Sequence, residues 1–134
     1  MKIIKKSSLV HKDKLRHIWN ERKILEKTNH PFIVKLRYAF QNEKNLFFVI
    51  DYCPGGDLYF YIKNIGRFNE NSTKFYAATI LLALENLHKN GVIYRDLKPE
   101  NILIDKQGYA LLTDFGLSKE NLVGQTLTSS FCGT

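Results

Sequence analysis

The 134-residue sequence predicts an α+β fold in two partial lobes, with strands and one helix first and mostly helix afterwards. Three observations carry that prediction. Apolar residues recur at helical spacing over 13–28 and 72–89, whereas 32–40 and 45–52 alternate or run apolar as strands do. Pro54-Gly55-Gly56 breaks the chain between the halves. Finally, Asn101–Asp105 and Tyr109–Thr113 read as two strands of a hairpin around Lys106-Gln107-Gly108.

Each element has its own justification. Residues 1–5 look like the second half of a strand. In 13–28, Leu15, Ile18, Trp19, Ile24 and Leu25 mark the apolar face, and Asn29-His30-Pro31 ends the helix. Gln41–Lys44 joins the next two strands as a hairpin turn. Asp57 is placed to cap a short helix reaching Asn64. The longest helix runs from Ser72 to Lys89, with Phe75, Ala78, Leu81, Leu82, Leu84 and Leu87 as its apolar face and Ala83 at the edge. Asn90-Gly91 terminates it. After Gly116 periodicity fades, and Lys119–Thr134 is polar and rich in Ser and Thr.

The composition, 44% hydrophobic and 25% charged, is that of an ordinary globular protein. No apolar run approaches the roughly 20 residues of a membrane span, and Met1-Lys-Ile-Ile-Lys-Lys turns basic where a signal peptide would turn apolar. Direct membrane insertion is therefore not expected. Net charge is +7, with nine Lys or Arg before residue 30, which invites a nucleic-acid reading. The aromatics, however, sit in apolar strands and helices rather than among the basic residues, so nucleic acid is not an expected partner. Cys53 and Cys132 are too few for a disulfide framework, and reduced thiols in the cytoplasm or nucleus are the expectation.

The most specific signal is Tyr94-Arg95-Asp96-Leu97-Lys98-Pro99-Glu100-Asn101 followed by Asp114-Phe115-Gly116. It sets an acid, a cation and two oxygen donors at an interval that a hairpin can close. Together, in order and at this spacing, the two motifs resemble the catalytic and metal-binding loops of eukaryotic protein kinases. The resemblance covers nearly the whole chain. Tyr94 at the head of the loop, the hinge Asp51-Tyr52-Cys53-Pro54-Gly55-Gly56-Asp57 and the closing Phe131-Cys132-Gly133-Thr134 are similar to one serine/threonine group. That group holds the cyclic-nucleotide-dependent kinases, kinase B, kinase C and the ribosomal S6 kinases.

The resemblance implies roles. Asp96 would accept or orient the substrate hydroxyl, Lys98 would neutralise the transferring phosphoryl group, and Asn101 and Asp114 would hold Mg²⁺ against the phosphates of ATP. Lys2 matches the strand lysine on the α- and β-phosphates, and Glu21 matches its ion-pair partner. Read from the residues alone, Lys2 is a frayed terminal lysine and Glu21 a helix-surface carboxylate, so both roles rest on the resemblance. Ile50 would stand behind adenine, backbone groups of Asp51 and Cys53 would pair with the base, and Leu58 and Leu103 would lie beneath it. Asp57 matches the residue that meets ribose, and with Glu100 it would favour protein substrates with basic residues upstream of Ser or Thr. A cap for Asp57 and a salt bridge for Glu100 are the alternatives. Leu25, Leu36, Tyr94 and Phe115 would stack between the lobes. Ser130, in competition with Thr128 and Ser129, matches the site phosphorylated by an upstream activating kinase, with His17, Arg95 and Lys119 as its phosphate dock.

The expected fold is thus a partial two-lobed kinase: 1–50 part of the N-lobe without its first two strands, 51–56 hinge, and 57–134 part of the C-lobe without its later helices. Because catalytic geometry tolerates about half an ångström of slack, the chain by itself is expected to be weakly active or inactive. The alternative function is a truncated, non-catalytic module that binds partners or acts as a decoy.

Overall fold

The computed structural model describes residues 1–120. Three strands, β1 (Lys2–Lys5), β2 (Leu36–Gln41) and β3 (Asn45–Ile50), form an antiparallel sheet in the order β1-β3-β2. Lys2 pairs with Phe48 and Lys5 with Asn45, so alternate residues of β1 turn inward and the Lys2 side reaches the interior. At the β2–β3 turn, Asn42 Oδ1 accepts the N–H groups of Lys44 (3.0 Å) and Asn45 (2.7 Å), the local bonding that suits Asn to turns.

Helix α1 (Lys12–Lys27) buries Glu21, Ile24 and Leu25. The expected face of that helix is corrected in its first half: Leu15 is exposed and Trp19 is 62% exposed. Helical spacing identifies a face but not how much of it the rest of the chain covers. Here Trp19 rims a groove of about 140 Å³ with Ile18, Ala39, Phe40, Leu46 and Phe48, and the Arg22 guanidinium sits 5.6 Å from its ring centroid.

The expected strand 32–40 begins four residues late. Leu112 N donates to Phe32 O (2.9 Å) and Val34 N to Leu112 O (3.0 Å), so this segment leaves the upper sheet and joins the hairpin below. That hairpin is β4 (Ile102–Ile104) against β5 (Ala110–Leu112), closed by Asp105 Oδ1 accepting from Gln107 N (2.8 Å) and Tyr109 N (2.9 Å). Likewise β3 stops at Ile50 rather than Tyr52, because Asp51 N turns to Lys35 O (3.0 Å).

Helix α2 (Leu58–Ile65) carries Asp57 as its cap, with Oδ1 accepting from Phe60 N at 2.8 Å. Helix α3 (Glu70–Lys89) ends at Asn90, with Gly91 at φ 69° in the left-handed region. Its buried residues are Thr79, Ala83 and Leu87, four apart, so Ala83 is the centre of the packed stripe and not its edge. Leu81, 67% exposed, and Leu82, also exposed, lie off it, a correction with a steric reason. Small residues let α3 approach β5 closely, and Thr79 Oγ1 satisfies itself on Tyr76 O at 2.9 Å. Phe75 is exposed too, yet it joins a run of ring contacts, His30–Phe32 (5.6 Å), Phe32–Tyr109 (5.6 Å) and Phe75–Tyr109 (5.4 Å), that ties the loop after α1 to the hairpin and α3. One buried cluster runs from Ile24 and Leu25 through Val34, Ala83, Leu87, Tyr94 and the hairpin to Phe115. Among the described residues the architecture is α+β, with a small sheet above and helices and a hairpin below.

Candidate active site

The loop after α3 is pinned at both ends before it reaches the cleft. Val92 N donates to Leu87 O (2.9 Å), and Ile93 and Lys119 exchange N–H···O bonds of 3.0 Å. Between these points Arg95 adopts φ 66°, and across the cleft Asp114 adopts φ 58°. Non-glycine residues there cost on the order of 1–3 kcal/mol and persist only where surrounding contacts hold them. For Arg95 that contact is Nε donating to Leu117 O at 2.7 Å.

Asp96 is buried. Its Oδ2 accepts from Asn101 Nδ2 (2.9 Å) and lies 3.2 Å from Lys98 Nζ, while Asn101 Nδ2 also reaches Asp96 O (3.0 Å). Asn101 is fixed in turn through its backbone, with N to Lys98 O and Thr113 N to its own O, each 3.0 Å. Below them the Tyr94 hydroxyl donates to Thr113 O, and its ring meets the fully buried Phe115 edge-on at 5.3 Å. Burial, reinforced by the charges of Asp114 and Asp96, pushes the Tyr94 phenol far above its ordinary range, so it stays a donor. Leu25, Leu36, Tyr94 and Phe115 all belong to the same packed region.

The upper wall contributes Lys2, whose Nζ lies 2.8 Å from both oxygens of Glu21 and 3.6 Å from Asp114 Oδ1. Burial raises the Glu21 carboxyl above its usual value, Lys2 opposes the shift, and Asp114 adds to it. Lys2, His17, Glu21, Asp96, Asp114 and Gly116 line one cleft of about 380 Å³.

Around the hinge, Ile50 and Leu103 are half-buried against the core and Leu58 is buried. Asp51 spends its carboxylate on Arg37 Nε (2.6 Å) and Lys35 N (3.3 Å). The Asp51 carbonyl and the Cys53 N–H make no backbone hydrogen bond among the described residues. Burial pushes the Cys53 thiol upward, with the Asp105 and Asp51 charges adding to it. Asp57 commits Oδ1 to the α2 cap. Glu100 is exposed and forms no ion pair among the described residues.

Arg95 and Lys119 line a second cavity of about 250 Å³ with Arg16, Asn20, Lys23, Ser118 and Glu120. His17 lies instead in the first cleft, where a side chain on Gly116 would come within 3.7 Å of its Cβ. Ser130, Thr128, Ser129 and Cys132 lie outside the described residues. Two residues of this region escaped sequence reasoning. Ser118, almost fully buried, donates from Oγ to Tyr94 O (3.1 Å), and Glu120 pairs with Lys23 and Lys27 of α1. Nothing in local sequence separates a buried serine from a loop serine, or a bridging glutamate from a solvated one.

The sequence model of the protein kinase domain matches residues 1–134. The chain belongs to the protein kinase domain family. Similar curated proteins include ones with serine/threonine-kinase and S6-kinase names. The chain is 48% identical over 135 residues to the RAC family serine/threonine-protein kinase homolog of Dictyostelium discoideum, covering all of this chain and 30% of that protein. It is 52% identical over 134 residues to ribosomal protein S6 kinase alpha-3 of Homo sapiens (all of this chain, 18% of that protein). It is 50% identical over 137 residues to serine/threonine-protein kinase SCH9 of Candida albicans (all of this chain, 17% of that protein). The chain thus spans under a third of the length of these relatives.

Protein kinases use ATP with Mg²⁺, and the donor set fits that metal. Asn101 gives both contacts to Asp96 through Nδ2, so its amide oxygen remains, with the Asp114 carboxylate, as an oxygen that a metal could take. One carboxylate and one amide oxygen suit Mg²⁺ that completes its shell with phosphates and water. No cluster of three or more acidic, His or Cys groups among the described residues makes a self-contained metal site.

Proposed function

We propose that the chain carries the nucleotide- and phosphoryl-transfer core of a serine/threonine protein kinase. The observation that carries this reading is the convergence of Lys2, Glu21, Asp96 and Asp114 on one cleft, with Lys98 and Asn101 bonded to Asp96. Asn101 and Asp114 would hold Mg²⁺, which neutralises phosphate charge when bound. Lys2, held straight by Glu21, would contact the phosphates of ATP. Asp96 would orient the Ser or Thr hydroxyl and take its proton, and Lys98 beside it would offset the charge developing on the transferred group. The hinge would bind adenine through the Asp51 carbonyl and Cys53 N–H, with Ile50 behind the base and Leu103 beneath it. The free Asp57 oxygen would meet ribose, and the exposed Glu100 would select basic residues upstream of the target. Phosphorylation of Ser130 by an upstream kinase would place its charge near Arg95 and Lys119, which share one cavity, rather than near His17 in the other cleft. The cytoplasm or nucleus is the proposed location.

The test is Mg²⁺-dependent transfer from ATP to an arginine-rich serine peptide, comparing the chain with Asp114→Ala. Transfer lost in the variant supports the reading; equal transfer from both refutes it. A second reading, a non-catalytic binding module, has one observation in its favour: the groove under the exposed Trp19. No transfer, joined to nucleotide binding that survives, would favour it.

A further inference from the structure

Residues 55–57 do more than connect the halves: they are hydrogen-bonded to the open edge of the β4–β5 hairpin. Gly55 N donates to Ile104 O (3.0 Å), Ile104 N donates to Gly56 O (2.8 Å), and Asp57 forms an antiparallel bridge with Leu103. The contact is unusually close at one point. A Cβ on Gly55 would lie 2.7 Å from Ile104 Cβ, 2.8 Å from its Cγ2 and 2.8 Å from its carbonyl oxygen. Real Cβ atoms do not approach that closely, Ile104 is buried, and the third atom is backbone, so the neighbour cannot simply swing aside.

We infer that Gly55 is a positioning residue for the nucleoside, because its missing side chain lets the hinge zip onto β4 and sets the gap between Cys53 and Leu103. The inference rests on the nucleotide-binding reading above. Its logic is geometric. Cys53, two residues before Gly55, offers its N–H on one side of the proposed adenine slot. Leu103, one residue before Ile104, forms the floor on the other. Both are referred to the same pair of hydrogen bonds. Asp57 lies on the same rung as Leu103, so the ribose-facing carboxylate follows the same register. A methyl group at 55 would push the linker off β4 and move the adenine-facing backbone relative to the floor, without touching Asp114 or Asn101. The loss belongs to the nucleoside end of the ligand, not the phosphate end.

The experiment measures equilibrium affinities for adenosine and for ATP with Mg²⁺ on the wild-type chain, Gly55→Ala, Gly66→Ala and Gly55→Ala/Ile104→Gly. Melting temperatures and hydrogen exchange at the Gly55 and Ile104 amides accompany them. Gly66, unlike Gly55, has a positive φ (84°) and open space around it, so its alanine variant reports a general loss of stability with no contact on β4. Gly55→Ala should weaken adenosine and ATP by the same factor, about tenfold or more, leaving the ratio between them unchanged, and should deprotect the Ile104 amide. Gly66→Ala should lose stability with both affinities within about twofold of wild type. The double variant removes both Ile104 side-chain atoms that the new methyl meets and keeps only the carbonyl contact, so it should regain part of the adenosine affinity. Should Gly55→Ala fail to fold, amide exchange at Ile104 in the wild-type chain carries the test: adenosine should slow it, and exchange unchanged by bound adenosine would overturn the inference. Unchanged adenosine binding in Gly55→Ala, a loss confined to the phosphate increment, or a folded double variant without recovery would each overturn the inference. Wild-type chain that binds neither probe would instead refute the kinase reading and the nucleoside role with it, while the exchange data, which need no ligand, would still report on the zipper.

Discussion

Asp96 and Asn101, on the lower side of the cleft, are 9% and 6% exposed and bonded to each other and to the backbone. Across the cleft the Lys2 side chain is 39% exposed and held by ion pairs alone, a short one to Glu21 of α1 and a longer one to Asp114 below. The lower wall stands on a hairpin whose second strand is buried at every position and on Phe115, which has no exposed surface. The upper wall stands on β1, which alternates half-buried with exposed residues, and on a helix whose first half is largely exposed. The difference teaches that the two sides are fixed by different physics. Below, packing and buried hydrogen bonds leave the acidic and amide groups little freedom. Above, the lysine follows wherever α1 carries Glu21, and Glu120 bridging to Lys23 and Lys27 ties α1 to the segment after Gly116.

The comparison can be broken first from below. Phe115→Ala should cost about 3–5 kcal/mol, the usual range for a buried Phe, read by urea unfolding; a loss under half of that would mean the lower wall is not supported as its packing implies. Next, Asn101→Ala leaves the buried Asp96 carboxylate short of a donor. It should cost about 1–3 kcal/mol and remove the Mg²⁺-dependent part of nucleotide affinity while sparing adenosine binding, both measurable by calorimetry.

The upper wall should answer to pH instead. Glu21 titrates above its ordinary value because burial outweighs Lys2. The folded protein therefore holds this proton more tightly than the unfolded chain does. The stability that Glu21 contributes is full below the ordinary carboxylate value and declines as pH rises through its raised value. Glu21→Gln should abolish that slope. Lys2→Met, which removes the opposing charge, should move the Glu21 titration higher still, read from its carboxyl carbon by NMR; a downward move would show that the pairing does not govern the group. Smaller again, Asp57→Ala should cost about 1 kcal/mol through the lost α2 cap, seen as a lower melting temperature. Smallest is Trp19→Ala, expected within about 0.5 kcal/mol, since a side chain so exposed buries little; a larger loss would mean the upper wall leans on that groove.

His30 gives the same contrast in miniature. Its Nδ1 accepts from Phe32 N at 3.2 Å, which requires the neutral ring, and burial lowers its titration. That bond sits where the chain leaves α1 for the hairpin, linking the two walls.

Local sequence determined a good deal of this protein. Periodicity marked α1, α3 and the strands, Asp57 and Asn90-Gly91 marked helix ends, and the spacing from Asp96 to Asn101 and Asp114 marked the candidate site. These were legible because capping, turns and motif spacing act over a few residues. What only the tertiary structure decided is which surfaces are covered and which distant groups meet. Thr79, Ala83 and Leu87, not Leu81 and Leu82, form the buried stripe of α3, because packing selected the row of residues four apart that faces the core. Phe32 and Val34 pair with Leu112 instead of continuing β2, because their backbone groups find partners across the halves. Lys2 reaches Glu21 and Asp114, Glu120 reaches α1, and Gly55 rests on Ile104. Each is a contact between segments far apart in the chain, where the favourable partner is set by packing and burial rather than by any neighbour in sequence.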